Sequence, residues 1–322
     1  MVRAVIFITV FFAEANALAQ LQQRQTDTSF STYSAYYKAI KNNQGIKIVE
    51  EFHSKKVKEE KEIVYCTVGV RKLLMDVFYP SSKNKVNGIA VIIIHGGGWR
   101  SGNRAQHYPM AQKLASLGYT CFTPEYRLSG EALFPAAIFD IKSAISWIKK
   151  NAINYNIDTS KITALGFSAG GEMAAFVGTT GSIQKFEGND CNTETSSLVN
   201  AIVDIDGTLS FVHPESSEGD DSKRLSAATQ WFGYAKKDSI QLWEEASPLT
   251  YVSNHTPPTL FINSSVASMH AGRADYIKVL NQSSIYSEVH SFEKAPHTFC
   301  LFHPWFGQTV NYIDQFLQKV FK

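Results

Sequence analysis

Residues 161–179 read KITALGFSAGGEMAAFVGT, and this stretch constrains the fold more than any other. Lys161–Gly166 is a short apolar run of strand type, and Ala169–Val177 has helical composition. Between them lies Gly166-Phe167-Ser168-Ala169-Gly170-Gly171, a G-x-S-x-G with one further glycine. In that context the serine occupies the apex of a sharp strand-to-helix turn. Its hydroxyl projects from the sheet edge at the start of the helix, and the glycines leave room for the main chain. A turn of this kind requires a parallel strand feeding a helix packed on the same sheet.

The rest of the chain repeats that alternation. Ile89–Ile94 is fully apolar and β-branched, as a strand covered on both faces must be. Helical spacing follows at Tyr108–Leu117, Pro135–Lys150 and Phe306–Phe321, with further strands at Tyr119–Thr123, Asn200–Ile205, Thr259–Ile262 and Tyr286–Phe292. Two earlier stretches, Glu62–Val68 and Lys72–Tyr79 around Gly69, read as an antiparallel pair. The expected fold is therefore α/β, with a mostly parallel mixed sheet flanked by helices. Gly178–Ser197 reads as a surface loop. Gly207–Tyr251 reads as a long helical insertion over the strand ends, where insertions often cover sites.

The N-terminus has a different character. Arg3, the apolar run Ala4–Ala13 and the small-x-small Ala17-Leu18-Ala19 make a secretory signal peptide of residues 1–19. Residues 20–60 are polar, with a Lys/Glu cluster, and are expected to form a solvated leader with one helical piece near Thr32–Lys41. The catalytic domain is then 61–322, and the mature chain is secreted or periplasmic. No other segment holds 18 consecutive apolar residues, so no membrane partner is expected for the mature form. A net charge of +2 on 322 residues excludes a strongly basic nucleic-acid footprint. Four cysteines, Cys66, Cys121, Cys191 and Cys300, are too few for a disulfide scaffold. Cys121 reads as a small core residue, and spacing does not pair the four.

Serine chemistry needs two companions, a base and a cradle for developing negative charge. His95-Gly96-Gly97-Gly98-Trp99 follows the Ile89–Ile94 strand, and its glycines let main-chain N–H groups come close to an oxyanion. Gly97, Gly98 and the N–H of Ala169 are the candidate donors. Of nine histidines, His297 in Ala295-Pro296-His297 lies just after the last strand, on the same sheet edge as Ser168. His270 and His303 are the next nearest candidates, and the others read as structural. There is no H-E-x-x-H and no Cys/His ligand set, so neither metal nor cofactor is expected.

With these motifs in hand, the chain resembles the α/β-hydrolase superfamily, and within it the secreted acetylesterase, xylan-esterase and feruloyl-esterase-like carboxylesterases. The resemblance runs from about Val64 to the C-terminus. It rests on His95–Trp99, Glu125-Tyr126-Arg127-Leu128, Asp158, Gly166–Gly171 and His297. It implies hydrolysis of small acyl or aryl esters on plant cell-wall polysaccharide. The sequence departs from the family at the acid. After Thr259–Ile262 comes Asn263-Ser264-Ser265-Val266-Ala267-Ser268-Met269, without a carboxylate. Asp206, at the end of the preceding strand and before Gly207, is the preferred replacement. Asp275, a candidate partner of Arg273, comes next, and Asp204 or no acid at all remains open.

The function expected is that of a serine carboxylesterase acting on an acylated, most simply acetylated, polysaccharide or oligosaccharide through Ser168, His297 and Asp206. A serine peptidase of the same fold and a non-enzymatic binding protein are the rivals. Trp99, Trp231, Trp243 and His303-Pro304-Trp305-Phe306 are expected either to face sugar rings or to be core aromatics.

Overall fold

In the computed structural model, residues 27–191 and 194–322 are described; the expected signal peptide lies outside them. The order of elements begins with α1 (Thr32–Ala39), β1 (Lys47–Ile48), β2 (Val57–Val68), β3 (Arg71–Pro80), β4 (Ala90–Ile94), α2 (Tyr108–Ser116) and β5 (Thr120–Pro124). It continues with α3 (Ala136–Lys150), β6 (Ile162–Phe167), α4 (Ala169–Thr179), β7 (Ala201–Ile205), α5 (Ala227–Phe232) and α6 (Ile240–Glu245). The chain closes with β8 (Thr259–Asn263), α7 (Arg273–Gln282), β9 (Ser287–Ser291), β10 (Phe302–His303) and α8 (Trp305–Val320).

Eight strands form one sheet in the order β2-β3-β5-β4-β6-β7-β8-β9. Strands β4 to β9 run parallel, and β2 and β3 add an antiparallel edge. Strand β4 shows why the sheet must be covered on both sides. All five of its residues are buried, and successive side chains leave opposite faces. Ala90, Ile92 and Ile94 join a core with Ile138, Ile141 and Ile145 of α3 and Met173 and Phe176 of α4. Val91 and Ile93 join another with Met110 and Leu114 of α2 and Ile313, Phe316 and Leu317 of α8.

The N-terminal segment is more integrated than a solvated leader. Ala35, Ala39 and Ile46 are buried in the second core. A reciprocal Ser31/Ser34 capping box starts α1, and Lys47–Ile48 pairs with Phe302–His303. The expected boundary at residue 61 falls inside β2, where Glu60 already pairs with Val77. Phe30, Tyr36, Ile40, Ile48 and Val49 also pack on the second core, but they are interleaved with polar and charged residues, which is why the segment's composition reads as polar. The insertion also differs from expectation, because its helical content is limited to two six-residue α-helices and a 3-10 turn at Pro248–Tyr251. Gly233 ends the first in a left-handed conformation (φ 75°), and the Ser/Asp/Gly-rich run before it carries no apolar periodicity.

After α4, residues 180–191 and 194–197 form a loop with an anchor. Phe186 is buried, the Lys142 ammonium donates to Glu187 (2.8 Å) and the Thr180 carbonyl (2.7 Å), and Cys191 is disulfide-bonded to Cys66 on β2. Cys121 and Cys300 are free and buried. The bridge closes a span of 125 residues, for which loop-closure entropy gives a ceiling of about 5 kcal/mol. The Cys66→Ser/Cys191→Ser protein is expected to lose about 2–5 kcal/mol in urea unfolding. Wild type in excess dithiothreitol should fall to the same midpoint; coincident oxidised and reduced curves would show that the bridge contributes nothing.

Candidate active site

Ser168 is the one-residue joint between β6 and α4, with φ 56° and ψ −123°. A non-glycine residue there carries on the order of 1–3 kcal/mol of strain, which the surroundings must hold in place. They do so by main-chain crowding. A Cβ on Gly166 would stand 1.9 Å from the Gly170 carbonyl oxygen, and one on Gly170 would stand 2.1 Å from the Ile94 carbonyl oxygen. The G-x-S-x-G glycines are thus required by the close approach of α4's first turn to β6 and to the end of β4. The Ser168 N–H donates to the Ile205 carbonyl at 2.8 Å, which fixes the turn against β7.

His297 reaches the serine from the loop after β9. Its Nε2 lies 2.8 Å from Ser168 Oγ, its Nδ1 lies 3.0 Å from Asp206 Oδ2, and the ring packs on Phe167. Asp206 follows β7 directly, turns at φ 53°, and is buried. Its Oδ1 accepts from the Ser264 N–H at 2.8 Å and from the Asn263 side-chain amide at 3.4 Å. The end of β8, where the sequence lacks the acid of the resembled family, therefore supplies donors to an acid carried by the neighbouring strand.

The other carboxylates lie elsewhere. Asp275 is largely exposed in the first turn of α7, with its Oδ2 3.5 Å from His213 Nε2. Its expected partner, Arg273, donates instead to Asn263 Oδ1. Asp204 points toward α4, where a Cβ on Gly171 would meet its Oδ1 at 2.4 Å. That oxygen accepts from the Gly207 N–H at 2.6 Å, and burial pushes the Asp204 carboxyl well above the usual range. Of the three, only Asp206 hydrogen-bonds His297.

The glycine loop stands beside the serine because Ile94 of β4 pairs with Gly166 of β6. Gly97 (φ 128°) and Gly98 (φ 61°) take conformations that a side chain would oppose. The Gly97 carbonyl is tied back by the Ser101 hydroxyl at 2.7 Å. Gly98 abuts Ala227 of the insertion, 2.9 Å from where its Cβ would stand. Ala169 is the first residue of α4, and a first-turn N–H has no intrahelical partner. His95 braces the loop: its ring stacks on Tyr126 at 4.3 Å, and the Tyr126 hydroxyl donates to the His95 carbonyl at 3.0 Å.

Sequence reasoning missed Glu172. It lies fully buried in the first turn of α4, and its Oε2 accepts from the Trp99 indole N–H at 3.0 Å. Burial raises this carboxyl well above the usual range. The signal available was a lone acid directly before the apolar stretch 173–177. Trp99 stacks on Trp231 at 4.8 Å, and Trp231 and Trp243 are wholly buried. Trp231 packs behind Trp99 of the glycine loop, Trp243 packs on Phe211 and Phe232, and all three tryptophans are buried, so their core reading holds. Trp305 is half-buried and His303 exposed.

A mostly parallel sheet with a serine at a strand-to-helix apex and a histidine on the loop after its last strand is the architecture of an α/β-hydrolase. The BD-FAE family model matches residues 75–283, and the chain belongs to that family. Among relatives, Esterase LipC of Mycobacterium tuberculosis (strain ATCC 25618 / H37Rv) is 26% identical over 201 residues, 60% of this chain and 47% of the relative. The chain spans about half the length of the curated relatives it matches. A truncated carbohydrate esterase from gut microbiota superposes with a TM-score of 0.65 at 23% identity, covering 81% of this chain and 96% of that one. The propionate-bound Est2 esterase of Thermogutta terrifontis gives 0.65 at 22% identity, covering 83% and 95%. At these identities the superpositions establish the fold.

Two buried histidines make the site region acid-sensitive. Burial pushes His95 down to about 4 and His107 down to about 3. Both are neutral in the native protein while the unfolded chain binds protons below about pH 6.5, so stability falls with pH from there toward the native values. Each histidine is expected to contribute about 1.4 kcal/mol per pH unit over that window. Urea unfolding of wild type and His107→Gln between pH 7 and pH 4.5 measures it. Identical slopes in the two proteins would remove His107 from the account.

Proposed function

We propose that this protein is a serine carboxylesterase whose catalytic unit is Ser168, His297 and Asp206. The observation that carries the reading is the unbroken chain from Ser168 Oγ through both His297 nitrogens to a buried carboxylate, at 2.8 and 3.0 Å. The esterase names among its relatives support it.

Ser168 Oγ attacks the ester carbonyl while His297 Nε2 takes the hydroxyl proton. Asp206 accepts from Nδ1, holding the tautomer and stabilising the imidazolium. The tetrahedral oxyanion is bound by the N–H groups of Gly97, Gly98 and Ala169, where one donor is worth on the order of 10²–10³ in rate. The alcohol leaves with the proton from His297. Water, deprotonated by the same imidazole, then releases the acyl group.

The acyl group is small, most simply acetyl; support comes from the propionate-bound esterase among the superposed structures. The alcohol side is a carbohydrate; support comes from the carbohydrate esterase among the superposed structures. Export to an oxidising compartment after cleavage near Ala19, with residues 20–322 as the mature chain, fits the Cys66–Cys191 disulfide. N-terminal sequencing of the protein from its natural host tests that point.

Turnover of p-nitrophenyl acetate is the primary assay, with an amide substrate as the peptidase control. Ser168→Ala and His297→Ala should each lower it by about 10⁴-fold or more with folding intact, because members of one unit are not additive. Asp206→Asn should lower kcat by about 10²–10⁴, and Asp275→Asn should stay near wild type. Activity within tenfold of wild type in either of the first two variants would sink the mechanism. Acetate release from acetylated xylan and pectin, set against p-nitrophenyl octanoate, decides the substrate class. Faster octanoate hydrolysis with no polysaccharide deacetylation would make this a lipid esterase.

A further inference from the structure

The Asn263 side chain stands between a carboxylate and a guanidinium. Its Nδ2 faces Asp206 Oδ1 at 3.4 Å, and its Oδ1 accepts from Arg273. An amide can present either end to a neighbour, whereas a guanidinium can only donate. Arg273 therefore selects the amide orientation. With the carbonyl held by Arg273, the NH₂ end is turned toward Asp206; reversed, the carbonyl would oppose a buried carboxylate. Asn263 is wholly buried at the end of β8, and Arg273 enters from the start of α7 after Gly272 turns at φ 82°.

We propose that Arg273 and Asn263 are positioning residues, acting through Asp206 to fix His297. The inference rests on reading Ser168, His297 and Asp206 as one unit. Asp206 oxygens then divide the work: Oδ2 holds His297, and Oδ1 is fixed by the Ser264 N–H and by an amide polarised by a cation.

Charge matters as well as orientation. Around Asp206 stand Asp204 on its own strand, Glu172 of α4 beyond Asp204, and the Cys300 thiol after the histidine loop. His270 precedes α7 and is half-buried, and burial and Arg273 lower its proton affinity. Glu215 accepts from the Gly272 N–H, and the exposed Asp275 engages His213. Arg273 is the permanent cation facing this acidic cluster. Without it, the negative potential that the cluster exerts on the Ser168–His297 pair rises, and the acid limb of the rate profile moves with it.

The test uses Arg273→Met and Arg273→Lys in the full chain, each checked by urea unfolding. Arg273 is half-buried, so both should fold. One readout is kcat and KM for p-nitrophenyl acetate across pH. The other is the rate at which a fluorophosphonate labels Ser168, a step that forms the Oγ–P bond, expels fluoride and needs the same base but no ester. Arg273→Met is expected to slow both about tenfold, a charged hydrogen bond's worth, with KM within twofold. The acid limb of both profiles should move up by about half a pH unit. Lysine should return the limb toward wild type. Rates within twofold with an unmoved limb would overturn the proposal. So would equal losses in both variants without a limb shift, which is what a merely structural role gives. A wild-type protein that is labelled but hydrolyses no ester would refute the esterase reading while the labelling arm still decides this one. No labelling of wild type would remove the premise and the proposal with it.

Discussion

The close approach of three main-chain segments, at the end of β4, the end of β6 and the start of α4, is the constraint on which the rest depends. The carbonyl oxygen of Ile94 lies where a side chain on Gly170 would be, and the Gly170 carbonyl lies where one on Gly166 would be. Only glycine permits that packing. It forces Ser168 into its strained conformation and sets the loop His95–Trp99 directly beside it. Ser168 and the glycine loop thus owe their positions to one backbone arrangement, which the eight-stranded sheet and the helices on its two faces hold in place.

Around that frame the protein buries acids deliberately. Asp204, Asp206 and Glu172 are all nearly inaccessible to water, where a carboxyl group must find donors or remain protonated. Asp206 meets two donors beyond the histidine, the Ser264 N–H and the Asn263 amide. Glu172 and Asp204 have fewer, and burial raises both. One restrains the oxyanion-loop tryptophan, the other the turn at Gly207. Each acid therefore holds a different element of the site: Asp206 holds His297, Glu172 holds Trp99 of the glycine loop, and Asp204 holds the turn that follows β7.

Elements remote in sequence complete the enclosure. The segment before β2 covers the second core through Ala35, Ala39 and Ile46, and β1 clips onto β10 just beyond the histidine loop. The Cys66–Cys191 bridge fastens the loop after α4 to the sheet edge. The insertion contributes Ala227 against Gly98 and Trp231 against Trp99, so the oxyanion loop is packed from behind by residues some 130 positions downstream.

What the sequence alone determined was local and periodic. The apolar run Ile89–Ile94, the helical spacing of residues 135–150, and glycines flanking a serine between strand and helix are patterns of neighbours, and they specify strand, helix and turn wherever the chain is placed. They were enough for the sheet and for placing Ser168 and, by position after the last strand, His297 on one edge of it. The choice among Asp204, Asp206 and Asp275 was beyond them, because adjacency of strands β7 and β8 and the turn at Asp206 are properties of pairing across the sheet. The partner of Cys66, the docking of the polar-looking N-terminal segment and the Arg273–Asn263 contact were likewise decided only by tertiary structure. Each joins residues whose distance in space is set by how strands order and helices pack, and no local pattern in the chain encodes that distance.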